Sequence, residues 1–98
     1  MPSLSSADHR ASPPVVFIPR AYNLAHDLIE RNLGSGRAAK IAYIDDTGRY
    51  TYGELAERVN RAANALCALG LQMEERILLC HLDTIDWPAV FLGAIKAG

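Results

Sequence analysis

The stretch YTYGELAERVNRAANALCALG, residues 50–70, decides the fold because it contains the most strongly patterned helix of the chain. Thr51 and Glu54 have the spacing of a capping box, in which each side chain accepts a hydrogen bond from the backbone N–H of the other residue. Gly70 tolerates a left-handed backbone and therefore predicts the end of the helix. We predict a helix over residues 52–69, with an apolar face formed by Leu55, Val59, Ala62, Ala63, Leu66 and Leu69.

The residues before this helix predict a shorter helix and a β-hairpin. Asn23 is a good helix N-cap, and helical spacing of apolar residues predicts a helix over residues 24–32 that ends at the glycines of positions 34–36. Residues 41–45 and 49–52 are strand-prone and flank Asp46-Thr47-Gly48, which is typical of a turn. Asp45 and Asp46 are an acid pair by sequence, but aspartate is favoured in turns because it bonds the local backbone. We interpret them as turn residues.

The residues after residue 70 predict a buried strand and a last helix. Residues 76–82, RILLCHL, are an almost unbroken apolar run, which is typical of a strand covered on both faces. Asp86 is placed to cap the following helix, and Pro88 suits its first turn. Trp87 and Phe91 make that helix apolar nearly all round, so we expect it to be deeply buried.

The order of helix, hairpin, helix, buried strand and helix predicts an α/β fold with an incomplete sheet, because the buried strand needs parallel neighbours that the chain does not clearly supply. Residues 1–16 are rich in Ser, Pro and Ala and offer little to bury, so we expect a flexible leader. Residues 15–18, which span the end of this leader, form a short apolar patch that we expect to be extended and packed on the rest of the chain. Residues 17–98 form the remaining unit.

Composition excludes several classes of protein. Of the 98 residues half are apolar and 21% are charged, and the net charge is -1. The sequence has no basic stripe that would indicate nucleic-acid binding, and it has no apolar run long enough to span a membrane. Cys67 and Cys80 are too few for a disulfide framework and lie in apolar runs, so we expect buried free thiols. We therefore expect a soluble, cytoplasmic protein.

Candidate sites have simpler structural interpretations. Gly34 to Ala39 match the letters of a dinucleotide-binding loop, but a helix precedes them and a strand follows, so we expect a connecting loop. His81, Asp83 and Asp86 are too few to define a metal or acid–base site, and Asp86 has a capping role. Cys67 has no nearby histidine to activate it. We predict no catalytic, cofactor-binding or metal-binding residue in this chain, assign no role to His26, and interpret Trp87 and Phe91 as packing residues.

Two segments resemble the core motifs of the adenylate-forming superfamily. Residues 50–55, YTYGEL, resemble its first motif, with Tyr50 in place of the usual Leu, and residues 92–98, LGAIKAG, resemble the start of its second motif. Within that superfamily residues 17–98 are most similar to benzoate-CoA ligases and their hydroxybenzoate relatives. The resemblance implies that residues 17–98 are the N-terminal part of the adenylate-forming, AMP-binding domain.

The resemblance also implies a function. A full-length enzyme of this kind uses ATP, Mg²⁺ and CoA to convert benzoate or a hydroxybenzoate to its CoA thioester through an acyl-adenylate, as a step in aromatic degradation. The family's catalytic motifs are expected after Gly98, so the segment alone should be inactive and bind none of these molecules. The alternatives are a segment of a fatty-acyl or amino-acid activating enzyme, or a non-catalytic interaction module. Apolar surface left uncovered on the last helix predicts self-association.

Overall fold

The computed structural model of the chain describes residues 3–98, so the first two positions of the predicted leader lie outside the described residues. Four short strands form two separate two-stranded antiparallel sheets, and three helices account for most of the regular structure. The elements are β1 Ser6–Asp8, β2 Val15–Phe17, α1 Leu24–Gly34, β3 Ile41–Asp45, β4 Gly48–Thr51, α2 Tyr52–Ala68 and α3 Asp86–Ala97.

Helix α2 begins and ends as its sequence predicts. The backbone N–H of Glu54 donates to the Thr51 hydroxyl at 3.2 Å, and the Thr51 N–H donates to the Glu54 carboxylate at 3.5 Å, which completes the capping box. At the other end Gly70 has a φ of +89°. Its N–H donates to the Cys67 carbonyl while the Leu71 N–H donates to the Leu66 carbonyl, the bond pattern of a Schellman motif.

Helix α1 starts at the predicted residue but runs two residues further, to Gly34. The Asn23 side chain accepts from the His26 N–H at 3.1 Å, so the predicted N-cap is confirmed. The apolar face suggested by the spacing of Leu24, Leu28 and Ile29 is buried only in part: Ile29 and Ala25 are buried, whereas Leu24 and Leu28 are exposed. Small Ala25 allows close packing on the core, and the leucines lie to the side of that contact.

The β3–β4 hairpin is confirmed, with Tyr43 opposite Tyr50 and Asp45 opposite Gly48. An irregularity between Ile41 and Tyr43 shifts the register by one residue. The turn depends on the Asp45 carboxylate, which accepts from the N–H of Thr47 at 2.7 Å and from that of Gly48 at 3.0 Å. Local backbone bonding was the predicted role of this residue.

Helices α2 and α3 pack closely because residue 93 is a glycine. A β-carbon built on Gly93 would lie 2.7 Å from the Ala62 Cβ and 3.1 Å from the Val59 carbonyl oxygen. Around this contact lies the core of the chain, to which α1 and the hairpin add their apolar side chains. Its buried apolar residues are Ala25, Ile29, Leu55, Ala56, Val59, Ala63, Ile85, Ala89 and Leu92.

The predicted buried strand at residues 76–82 is wrong for this structure. These residues have no regular secondary structure, and Ile77, Leu78 and Leu82 are exposed. A strand needs a neighbour for its backbone hydrogen bonds, and no described strand runs beside this segment. The apolar run is therefore present without the sheet that would bury it.

The start of α3 also differs from the prediction. The N-cap residue is Ile85, which has no side-chain cap, and Asp86 is the first residue of the helix. Asp45 of the hairpin turn instead holds the start of the helix, because its second carboxylate oxygen accepts from the Ile85 N–H at 2.8 Å. The helix is less buried than expected, since Phe91 is exposed. None of the helices within residues 3–98 is long and apolar enough to cross a membrane.

Part of the predicted leader has regular structure. Strand β1 pairs with β2, with Ala7 opposite Val16. Residues 15–17 are extended as predicted, but residues 15–18 are exposed, so the predicted packing on the body is wrong. The partner strand β1 is as exposed as β2, and the pairing therefore rests on backbone bonds. The predicted boundary between a leader of residues 1–16 and a unit of residues 17–98 stays a prediction.

The Gly93 contact predicts a specific response to an added methyl group. We expect Gly93→Ala to lower the free energy of unfolding by about 2 kcal/mol, because the methyl must push apart two packed helices. Gly34→Ala is the matched control, since a β-carbon at Gly34 meets no atom within 4 Å. Urea unfolding followed by helical circular dichroism measures both, and equal stabilities would contradict the close helix contact.

The capping box predicts a second response. We expect Thr51→Ala to lower the free energy of unfolding by about 1 kcal/mol, because the Glu54 N–H loses its acceptor at the start of α2. Thr51→Ser keeps the hydroxyl and should retain most of the stability. Urea unfolding is again the measurement, and an equal loss in the Ser variant would show that the hydroxyl is not the cause.

Candidate functional site

A groove of about 650 Å³ lies between the start of α1, the segment around residues 75–79 and the outer face of α3. Its floor is aromatic: the Trp87 and Phe91 rings stack with centroids 5.1 Å apart and planes inclined by 22°. Leu24, Ile77 and Leu79 add aliphatic side chains. An apolar hollow with a few polar groups at its rim is the usual form of a small-molecule site, so this groove is the candidate to test.

The polar side chains just before α1, at the rim of the groove, are already engaged. The Asn23 amide donates to the Ile95 carbonyl at 2.7 Å, and its oxygen caps α1. The Tyr22 hydroxyl donates to Asp27 at 2.6 Å, and this bond raises the pKa of Tyr22. Both side chains therefore hold the structure together in the arrangement observed. Glu75 and Arg76 also line the groove, and the Glu75 carboxylate accepts from the Gln72 N–H at 2.7 Å.

The acidic residues near the start of α3 do not form one site. Asp83 accepts a hydrogen bond from the Tyr43 hydroxyl, which raises the pKa of Tyr43 to about 12. Asp86 pairs with Arg58 at 3.5 Å, and the His81 ring contacts the adjacent Leu82 carbonyl at 2.9 Å. Residues 3–98 contain no group of three His, Cys, Asp or Glu side chains that could hold a metal ion.

The glycine-containing segment from residue 34 to 39 is a connecting loop. Gly36 has a φ of +81°, and the N–H groups of Gly36 and Arg37 donate back to carbonyls of α1, forming a second Schellman motif. These N–H groups are therefore used to end a helix. No strand leads directly into the loop, as a dinucleotide-binding loop requires.

Both cysteines differ from the prediction. Cys67 and Cys80 are free thiols, but each is exposed. Cys67 lies in the last turn of α2, and Cys80 lies in the segment that was predicted to be a buried strand. Leu69, Leu78 and Leu82 near them are exposed too, so the apolar sequence context did not indicate burial.

Asp27 is a buried polar centre that the sequence interpretation missed. Its side chain is 6% exposed and accepts from the Ser5 hydroxyl at 2.6 Å and from the Ser5 N–H at 3.1 Å. Arg31 lies 2.8 Å from the other carboxylate oxygen and also donates to the Ser5 carbonyl at 2.6 Å. This cluster joins the N-terminal segment to α1. The four-residue spacing of Asp27 and Arg31 was the one available signal.

Comparison with known proteins identifies relatives for nearly the whole chain. Residues 30–98 match the model of the AMP-binding enzyme family. The benzoate–CoA ligase of Thauera aromatica is 59% identical over the full chain, which covers 19% of that enzyme. The 4-hydroxybenzoate–CoA/benzoate–CoA ligase of Rhodopseudomonas palustris is 47% identical over 81% of the chain, which covers 15% of that enzyme.

The fold agrees with these relatives. A crystal structure of a benzoate CoA ligase from Burkholderia xenovorans LB400 superposes with a TM-score of 0.74 and 56% identity, over 79% of this chain and 15% of that one. The three helices and two small sheets thus match part of a larger fold, and the predicted incomplete sheet is confirmed at that level. The chain spans less than a fifth of the length of the curated relatives it matches.

The Asp27 cluster predicts how stability depends on pH. Hydrogen bonds from the Ser5 and Tyr22 hydroxyls hold the pKa of Asp27 well below its usual range. Because the folded pKa lies below the unfolded value of about 3.9, the carboxylate stabilises the chain fully above that pH, and the contribution is lost as the pH falls further.

The measurement is urea unfolding at a series of pH values. We expect Asp27→Asn to lower the free energy of unfolding by about 2 kcal/mol at neutral pH. The difference in unfolding free energy between the variant and the parent chain should shrink below about pH 4. Asp46→Asn is the control, because Asp46 is exposed and its carboxylate makes no hydrogen bond with the described residues. A difference that stays constant down to acid pH would contradict the assigned role.

Proposed function

Because the chain belongs to the AMP-binding enzyme family, we propose that it is a segment of an ATP-dependent aryl-CoA ligase that acts on benzoate or a hydroxybenzoate. The observation that carries this proposal is the 59% identity to a benzoate–CoA ligase over all of the chain. The proposed acid follows from the relatives, since the described residues include no acid-binding site that would choose it.

The proposed reaction has two steps. The carboxylate oxygen attacks the α-phosphorus of ATP, which forms an acyl-adenylate and releases pyrophosphate. The CoA thiol then attacks the acyl carbon, which forms the thioester and releases AMP. Adenylation turns a poor leaving oxide into a good one, and Mg²⁺ offsets phosphate charge when it is bound.

We assign neither step to residues of this chain. Residues 3–98 contain no group of three His, Cys, Asp or Glu side chains that could hold a metal ion, and we place no Mg²⁺ on them. The groove next to Trp87 and Phe91 is apolar, and Tyr22 and Asn23 at its rim are held in structural bonds. The proposed contribution of the chain is a scaffold: a packed helix pair and a hairpin on which other parts of the enzyme pack.

The proposed setting is aromatic degradation in the cytoplasm. Support for the pathway comes from the aromatic acids named for the relatives. Support for the location is indirect: the two cysteines are free and exposed, and such thiols persist where the surroundings are reducing.

The test is ATP–pyrophosphate exchange, which reports adenylation. We expect none from the 98-residue chain alone with benzoate, ATP and Mg²⁺. A longer polypeptide that contains this chain should show benzoate-dependent exchange and form benzoyl-CoA when CoA is added. Exchange by the 98 residues alone would overturn the scaffold role.

A substrate panel on the longer polypeptide separates the alternatives. Benzoate and 4-hydroxybenzoate should give thioesters, while acetate, a long-chain fatty acid and free amino acids should give far less product. Preference for any of the latter would reject the aryl acid and keep only the family. Absence of exchange with every acid would reject ligase activity and favour a non-catalytic interaction module.

A further inference from the structure

The N-terminal segment, residues 3–20, is tied to the residues that follow it by two serines. The Ser3 N–H donates to the Ala21 carbonyl at 3.2 Å. Every other hydrogen bond that the segment makes with later residues involves Ser5, within the part of the chain that the structure describes. Strands β1 and β2 pair with each other and pack on no helix or other strand among residues 3–98. The segment is therefore anchored where its two ends meet.

Helix α1 binds all three polar groups of Ser5. The Ser5 N–H and hydroxyl donate to the same carboxylate oxygen of Asp27, at 3.1 and 2.6 Å. The Ser5 carbonyl accepts from the Arg31 guanidinium at 2.6 Å. Asp27 and Arg31 are themselves paired at 2.8 Å, and the Asp27 side chain is only 6% exposed. Hydrogen bonds to charged groups are about twice as strong as neutral ones, so this contact outweighs the bond of Ser3.

The strand pairing makes the segment a single ribbon that depends on this contact. Ser6 lies opposite Phe17, and Asp8 lies opposite Val15. A two-stranded hairpin is only marginally stable by itself in water. The buried apolar residues of the described chain begin at Ala25, so none of residues 3–20 belongs to the core. Loss of the Ser5 contact should therefore release the whole segment together.

We propose that residues 3–20 form a strap that opens from α1 and closes on it as one unit, with the bonds between Ser5 and Asp27 as its clasp. The three helices stay folded in the open form, since the core that joins them contains no residue of the strap. Opening exposes the Asp27 carboxylate to water and releases the Arg31 side chain from the Ser5 carbonyl. Proteins open locally in this way at a lower free energy than that of global unfolding.

Hydrogen–deuterium exchange at low urea concentrations tests the strap. The sample is the longer polypeptide that contains this chain, so that any cover supplied by its other residues is present. We expect the amides of residues 5–17 to exchange together and faster than those of α2. Their rates should change little with urea, because a local opening exposes little surface, whereas exchange from α2 should accelerate as urea is added.

Substitutions at the two ends of the Ser5–Asp27 contact test the clasp. An uncharged amide is a weaker acceptor, so Asp27→Asn should make exchange from residues 5–17 at least about tenfold faster. Ser5→Ala removes only the hydroxyl bond and should accelerate it about three- to tenfold, which keeps the clasp testable if the Asn variant fails to fold. Glu30→Gln is the matched control: it removes a carboxylate charge from the same helix, and the Glu30 carboxylate makes no hydrogen bond among residues 3–98. We expect it to leave the exchange of the strap unchanged.

Three results would overturn the proposal. Exchange from residues 5–17 with the rate and the urea dependence of α2 would mean that the strap has no opening of its own. Equal acceleration by Asp27→Asn and Glu30→Gln would remove the specific role of the clasp. No acceleration by either Asp27→Asn or Ser5→Ala would show that the segment is held elsewhere. None of these measurements depends on turnover, so their outcome is distinct from that of the test for ligase activity.

Discussion

The close approach of α3 to α2 at Gly93 sets the arrangement of the rest of the chain. No side chain larger than hydrogen fits there without movement, because the Ala62 methyl and the backbone of α2 already fill the space. Once α3 is fixed in this way, Ile85 at its start is held against the hairpin by the Asp45 carboxylate. Helix pair, hairpin and groove therefore share one frame, and the position of the aromatic floor of the groove follows from a missing methyl group.

The acidic residues of the chain are used to hold this frame. Asp27 gathers Ser5, Tyr22 and Arg31, and Asp45 satisfies both the hairpin turn and the start of α3. Hydrogen bonds to each carboxylate lower its pKa, first from Ser5 for Asp27 and first from Thr47 for Asp45. Carboxylates that stay ionised and saturated with donors are suited to structure. Because Asp27 and Asp45 are used in structural bonds, the functional proposal rests on the relatives of the chain.

The irregular segment between α2 and α3 shows what an isolated strand sequence does without a sheet. Some of its side chains line the groove and others are exposed, and its backbone has no neighbour among the described residues. Burial on both faces was predicted from the apolar run, and the run is real. The sheet that would bury it is not formed by the described residues.

The sequence by itself determined the local structure: the capping box at Thr51 and Glu54, the cap at Asn23 and the hairpin turn are all present where the pattern predicted them. These features depend on residues within a few positions of one another. The family resemblance in residues 50–55 and 92–98 was also readable. Only the tertiary structure decided the environment of residues 76–82, the buried cluster of Asp27 and the replacement of Asp86 by Asp45 at the start of α3. Each depends on partners far away in the chain: Ser5 lies 22 residues from Asp27, and Asp45 lies 40 residues from Ile85. No local pattern encodes such a partner.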